Sequence, residues 1–179
     1  GYRHIIRYNL IRGTSRGIIL QEVHDAKVYQ NVIRDCFGGT GNAMGIKFQY
    51  ERVMRAIVAN NTIVNCSFGW YGNFGLGWIS NTVKNNIIYN TTRAAMFQNE
   101  GNFSGYVDFD RNVFGSVGGW SHYGDYLTLS AWQAKTEAPD PNSISSNPLF
   151  FDVATNDFHL QSGSPARTLG VDVLDLNNN

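Results

Sequence analysis

Three glutamines stand at matching places in a chain that repeats itself. Gln21, Gln49 and Gln98 each close a short run: Gly17-Ile18-Ile19-Leu20, Gly45-Ile46-Lys47-Phe48 and Ala94-Ala95-Met96-Phe97. Two positions beyond the second and third glutamines come Glu51 and Glu100. Lys47 projects from the second run, His24 and Asp25 follow the first, and Arg52 and Arg55 follow the second. A glutamine amide donates and accepts at once, which suits the hydroxyls of a sugar; the alternative use is an amide ladder that only holds the fold. Cations and acids in the same row suit two reactions. In β-elimination a base takes the proton next to a uronate carboxylate while a cation steadies the developing charge. Lys47, Arg52 and His24 are the residues for that. In glycoside hydrolysis two carboxylates flank the bond, about 5 Å apart for retention and wider for inversion. Glu51 and Glu100 are the pair to measure. Trp70, Tyr71 and Trp78 lie among glycines and are expected as exposed faces for sugar rings, the alternative being a loop plugged onto the body.

A row of this kind needs elements that stack. An asparagine followed by two apolar or β-prone residues recurs as Asn9-Leu10-Ile11, Asn31-Val32-Ile33, Asn61-Thr62-Ile63, Asn86-Ile87-Ile88 and Asn112-Val113-Phe114. Three residues before each stands Ile6, Val28, Val58, Val83 or Phe109, and two after it Ile11, Ile33, Ile63, Ile88 or Phe114. Period-2 alternation rich in β-branched residues means strands, and no hairpin turn of the Asn-Gly type separates them. Strands that recur every couple of dozen residues pair with their counterparts in the next repeat, giving a parallel solenoid. The expected fold is therefore all-β, a parallel solenoid of about five turns over residues 1–130. Residues 131–179 are expected as a C-terminal capping segment and tail of the same domain. The asparagines are expected at sharp corners, where this residue tolerates the left-handed backbone, and stacked so that their amides bond up and down. Gly75-Leu76-Gly77-Trp78-Ile79 is read as the third-coil strand but fits its column poorly, and Gly118 to Asp125 reads as a loop. Cys36 and Cys66 each lie five residues after a ladder asparagine and are expected side by side, within disulfide range or as packed thiols.

Composition bounds the rest. The 179 residues carry 14 Lys+Arg and 14 Asp+Glu, and 42% are hydrophobic, as in a globular domain. The balance argues against a nucleic-acid partner, which favours a basic excess. No run approaches the roughly 18 apolar residues that cross a bilayer, so no membrane partner is expected. No zinc-type spacing, P-loop or dinucleotide fingerprint occurs, so no cofactor and no metal site are expected; a Ca ion is left open, with no motif to support it. Charge is uneven: residues 1–55 have nine basic and four acidic side chains, 9 − 4 = +5, and the remainder five and ten, 5 − 10 = −5.

The Asn-x-Ile repeats resemble the right-handed parallel β-helix of the pectate-lyase-like superfamily. The segment Asn147-Pro148-Leu149-Phe150 through Asp157-Phe158-His159-Leu160 to Ser164-Pro165-Ala166 is similar to the ending of many secreted bacterial β-helix proteins. That resemblance implies a secreted or cell-surface location and a polysaccharide or oligosaccharide partner, acted on by a lyase or glycoside hydrolase or simply bound; the other reading it leaves open is a non-catalytic structural or adhesive module. Neither the paired-Asp motif of polygalacturonases nor the calcium-binding acidic cluster of pectate lyases is present. The chain starts in mid-repeat at Tyr2-Arg3-His4-Ile5-Ile6. The resemblance reads it as the C-terminal portion of a longer protein, and the open first turn invites a homo-oligomer.

Overall fold

A computed structural model describes residues 1–39, 43–50, 52–74, 78–97, 106–122, 125–135 and 140–169. The chain passes five times through the same three sheets. The first coil contributes β1 (Ile5–Arg7), β2 (Leu10–Arg12) and β3 (Arg16–Leu20), then a short β4 (Val23–His24). The second has β5 (Lys27–Tyr29), β6 (Val32–Arg34), β7 (Met44–Tyr50) and β8 (Val53–Met54). The third has β9 (Ile57–Ala59), β10 (Thr62–Val64) and β11 (Phe68–Phe74); the fourth β12 (Asn81–Lys84), β13 (Ile87–Thr91) and β14 (Arg93–Phe97); the fifth β15 (Val107–Asp110), β16 (Val113–Val117) and β17 (Trp120–His122). The first sheet runs β1-β5-β9-β12-β15, and the coil strands pair in parallel. Crossovers between parallel strands of one sheet wind right-handed, so the molecule is a right-handed parallel β-helix.

The register follows the asparagine pattern. Ile6, Val28, Val58, Val83 and Phe109 form one file of the first sheet. Ile11, Ile33, Ile63, Ile88 and Phe114 form one file of the second. Most of these side chains are buried in one continuous core. The corners correct one expectation. The ladder asparagines themselves are not left-handed; the residue before each of them is, at Tyr8, Gln30, Asn60, Asn85 and Arg111. A second left-handed file, Asp35, Asn65, Asn90 and Ser116, makes the corner into the third sheet, and a third runs through Arg3, Asp25, Arg55 and Ser80. These three files bend the chain at the corners of the coil, and Glu22 and Arg52 add a fourth left-handed position after β3 and β7.

The corner residue frees the next asparagine to point inward. Asn31 donates its backbone N–H (3.1 Å) and Nδ2 (2.9 Å) to Asn61 Oδ1, and Asn61 does the same to Asn86, and Asn86 to Asn112. The ladder is directional, and Ser143 Oγ terminates it by accepting from the Asn112 N–H at 2.8 Å. Buried polar groups are tolerated only when bonded in this way.

Beyond the fifth coil, β18 (Asp125–Leu127) turns back antiparallel on β17, and α1 (Leu129–Gln133), capped by the Thr128 hydroxyl, buries Trp132 in the core at that end. The stretch expected as a loop is therefore in part β17, the fifth strand of the third sheet, with Trp120 in register with Ala95. β19 (Ile144–Ser145) adds a sixth strand to the second sheet. The closing segment forms a hairpin, β20 (Phe150–Asp152) with β21 (Asp157–Leu160), and then α2 (Ala166–Leu169). It lies along the outer face of the second sheet rather than over its end: Phe150, Phe158, Leu160 and Leu169 pack on Val64, Ile87 and Val113. The tail after Leu169 lies outside the described residues.

Candidate functional site

The third sheet, β3-β7-β11-β14-β17, holds the longest strands. Glycine sets which side chains reach its outer face. A Cβ on Gly45 would stand 2.4 Å from Ile63 Cγ2 and 2.6 Å from the Gly69 carbonyl oxygen; Gly17 and Gly69 are equally cramped. The strand therefore turns inward at glycine and again at the next residue, Ile18, Ile46 or Trp70, all of which are buried. The residue before the glycine and the second residue after it are left to face out. Two outer files result. One is Arg16, Met44, Phe68 and Arg93; the other includes Ile19, Lys47, Tyr71 and Ser121.

Cations and rings are neighbours along these files. The Lys47 ammonium lies 5.0 Å from the Tyr71 ring centroid, and the Arg93 guanidinium lies 5.6 Å from that of Phe68 and 4.2 Å from that of Tyr126. Phe68 and Tyr71 meet edge to face at 5.7 Å. Lys47 is only 7% exposed, and burial, helped by the Arg16 charge, holds its pKa below the ordinary lysine value. Desolvation disfavours an ammonium. Around this floor the rim is open: Arg16, Ile19, Gln21 and Tyr126 are exposed and Gln49, Asn73 and Arg93 half-buried. Gln49 Oε1 has no hydrogen-bond partner among the described residues.

The sequence-based candidates divide accordingly. Lys47, Gln49 and Tyr71 share the outer face, and Gln21 follows β3 on the same side of the first coil. Gln98, Glu51 and Glu100 lie outside the described residues. His24 sits in β4, in register with Met54 and 4.7 Å ring to ring from Tyr2. Arg52 is an exposed left-handed residue at the start of the following corner. Neither His24 nor Arg52 belongs to the third sheet. Trp70 and Trp78 are corrected outright: at 1% and 0% exposure they are core residues, packed edge to face on Phe48, and present no ring to a ligand. The third-coil strand of this sheet is β11, with Trp70 in register with Ile46; of the stretch read as that strand, residues 75–77 lie outside the described residues. Arg16, Phe68 and Arg93 were missed. Their signal was the position one before the Gly-x-Ile column, occupied in order by Arg16, Met44, Phe68 and Arg93.

A concavity of about 580 Å³ opens between the hairpin and the uncovered part of the second sheet. Leu10, Val32 and Thr62 are among its lining residues, with Arg34, Phe158 and His159. His159 Nδ1 stands 2.5 Å from Asp157 Oδ1, and the Asp157 carboxyl is held below its usual range first by the His159 backbone N–H.

Winding, ladder and basic aromatic face together define a parallel β-helix protein that presents one long sheet to its surroundings. Residues 1–107 match the family model described as "Periplasmic copper-binding protein (NosD)", and the chain belongs to that β-helix family. No curated protein and no solved structure matches it.

Proposed function

We propose that this β-helix module binds an acidic polysaccharide along the outer face of its third sheet. The observation that carries the reading is the gathering of Arg16, Lys47 and Arg93, from three different coils, around the buried rings of Phe68 and Tyr71 and the exposed ring of Tyr126. A uronate chain offers carboxylates at a regular spacing and sugar faces between them, which the cations and the exposed Tyr126 ring match. Coils repeat about every 4.8 Å, so a chain lying across them meets a new row at each coil. A binding role needs no carboxylate pair, and the family membership is compatible with a non-catalytic module. The family's periplasmic description supports an extracytoplasmic location, where such polymers are met.

One observation favours a second reading, β-elimination. A lysine whose pKa is lowered keeps more neutral amine at a given pH, as a base for the proton beside a uronate carboxylate requires. Lys47 is that residue, and Arg16 beside it would steady the carboxylate.

Copper, named in the family's description, finds little here to hold it. Among the described residues no three His, Cys, Asp or Glu side chains gather closely enough for a metal ion, and no step is derived through one.

Calorimetric titration with oligogalacturonate and alginate oligomers, against a neutral glucan, tests the reading. Lys47→Met keeps the apolar stem and removes the charge; acidic oligomers are expected to bind wild type and to lose roughly tenfold or more on that change, on the scale of one charge-assisted contact. Equal binding of the neutral glucan, or no loss in Lys47→Met, refutes it. Ultraviolet absorbance of an unsaturated product, present in wild type and absent in Lys47→Met, distinguishes the lyase from the binder.

A further inference from the structure

We propose that Cys36 and Cys66 are a disulfide pair that clamps the second and third coils together. The inference is independent of what the third sheet binds. β6 and β10 run in register through Val32 with Thr62, Ile33 with Ile63 and Arg34 with Val64, and the Asp35 N–H continues the ladder to the Val64 carbonyl at 3.0 Å. Cys36 and Cys66 each follow two residues after the last of these pairs, so their Cα atoms keep about one inter-strand spacing, roughly 4.8 Å. A disulfide spans Cα separations of about 4.4–6.8 Å. The two sulfurs are within hydrogen-bonding reach of each other. Both are free thiols, buried in the same core at 7% and 4% exposure.

The surroundings choose between the two uses that paired sulfurs have. Two thiolates holding Cu(I) would leave one net negative charge in an apolar interior. They would also stand beside Asp35, whose charge already opposes ionisation of both thiols. A buried charge without a partner is costly, and the neighbouring cation, Arg34, is already paired with Asp35. A disulfide is neutral and suits the same space. In the folded chain Cys36 is held below the ordinary thiol value by its hydrogen bond with Cys66, and Cys66 is pushed above it by that bond and by burial.

The oxidant is a carrier disulfide, either oxidised glutathione or a dithiol oxidoreductase. One cysteine loses its proton and its sulfur attacks one carrier sulfur, releasing the other as a thiolate. The second cysteine then loses its proton and attacks the Sγ of the first, releasing the second carrier thiolate. Two electrons pass from the cysteines to the carrier, and the two protons end on its thiols. Because the thiols are buried, exchange occurs before or during folding. The bond would tie the corner from which β7 and β11 set out, the strands that carry Lys47 and Tyr71.

The test unfolds and refolds the full chain in a reduced and oxidised glutathione mixture. The product is alkylated under denaturing conditions and weighed. The expected chain takes no alkyl group and is about 2 Da lighter than the reduced one, having lost two thiol hydrogens. Its melting temperature is expected to exceed that of the reduced chain by on the order of 10 °C, from the loop that is closed, and Cys66→Ala is expected to melt alike in both conditions. Two alkylated cysteines, or a lasting glutathione adduct on either, overturn the pair. So does a chain that stays reduced in the mixture and takes up one Cu(I), lost in Cys36→Ser. A bridged chain that melts within about 1 °C of the reduced one overturns the clamp. Loss of polysaccharide binding has no bearing on any of these outcomes.

Discussion

The sharpest perturbation of this fold is a change of one atom, Asn61→Asp. Asn61 is fully buried. Its Oδ1 accepts from the Asn31 N–H (3.1 Å) and Nδ2 (2.9 Å), while its Nδ2 faces three acceptors: Val28 O (2.9 Å), Ala59 O (3.1 Å) and Asn86 Oδ1 (3.0 Å). Consider Asn61→Ala first. The Asn31 N–H is stranded without a substitute, whereas Asn31 Nδ2 retains Ile6 O and Tyr29 O, and Asn86 Oδ1 retains the Asn61 backbone N–H. One orphaned buried donor costs about 1–3 kcal/mol and each weakened partner a fraction of that, so the loss is about 3–5 kcal/mol. Aspartate keeps the shape and the accepting side but turns the donor side into an oxygen facing three oxygens. It must hold a proton or bury an unpaired charge. Its folded pKa is thereby raised above the unfolded value, so stability is retained at low pH and lost as pH rises through the interval between the two. Asn61→Asp is expected to be less stable than Asn61→Ala at pH 7, with the gap closing near pH 4. Urea unfolding followed by far-ultraviolet circular dichroism, with the slope m unchanged, measures both. An aspartate variant within about 1 kcal/mol of wild type at pH 7 would refute the directional ladder, because an undirected stack accepts either oxygen.

Two other buried positions respond to a single substitution. Gly45→Ala sets a methyl 2.6 Å from a backbone oxygen that cannot move aside; a loss of about 1–3 kcal/mol or more is expected in thermal unfolding, although alanine is ordinarily tolerated in strands. Asp140 is buried, and burial raises its pKa to about 6. The raised folded value means the side chain costs nothing below about pH 4 and an increasing amount up to pH 6, reaching about 3 kcal/mol above it. Asp140→Asn is expected to flatten this part of the stability–pH curve and to be the more stable form at pH 8.

How far the sequence could be read depended on what fixed each residue. The asparagine files and their apolar flanks were legible because each coil must present the same inward side chain at the same place to keep its hydrogen bonds. Cys36 and Cys66 were placed by the same offset. The left-handed corners were legible as to residue type but not position: Gln30 and Arg111 occupy two of them, and neither residue advertises positive φ. Arg16 and Arg93 were hidden for another reason. Their file is defined only by glycine's inward turn at the next position, and that turn is dictated by crowding against Ile33, Ile63 and Ile88 from another sheet.

The misplaced tryptophans show the general cause. The bore of a solenoid has a fixed width, so volume is conserved around a coil rather than at a position. In the third coil the large residue moved one file over. Trp70 takes the place of Ile18 and Ile46, while Gly72 takes the place of Leu20 and Phe48. Trp78 then fills the interior beside Phe48 and Trp70, at ring separations of 5.3 and 6.4 Å. Along the file, Ala95 separates Trp70 from Trp120, a small residue between two large ones. Column matching by residue type fails under such exchange, because the conserved quantity is a sum. Parity survives it. With Trp70 inside, Tyr71 must face out, in register with Lys47 of the coil before, so the packing that hid the tryptophans is also what puts a ring beneath the buried ammonium.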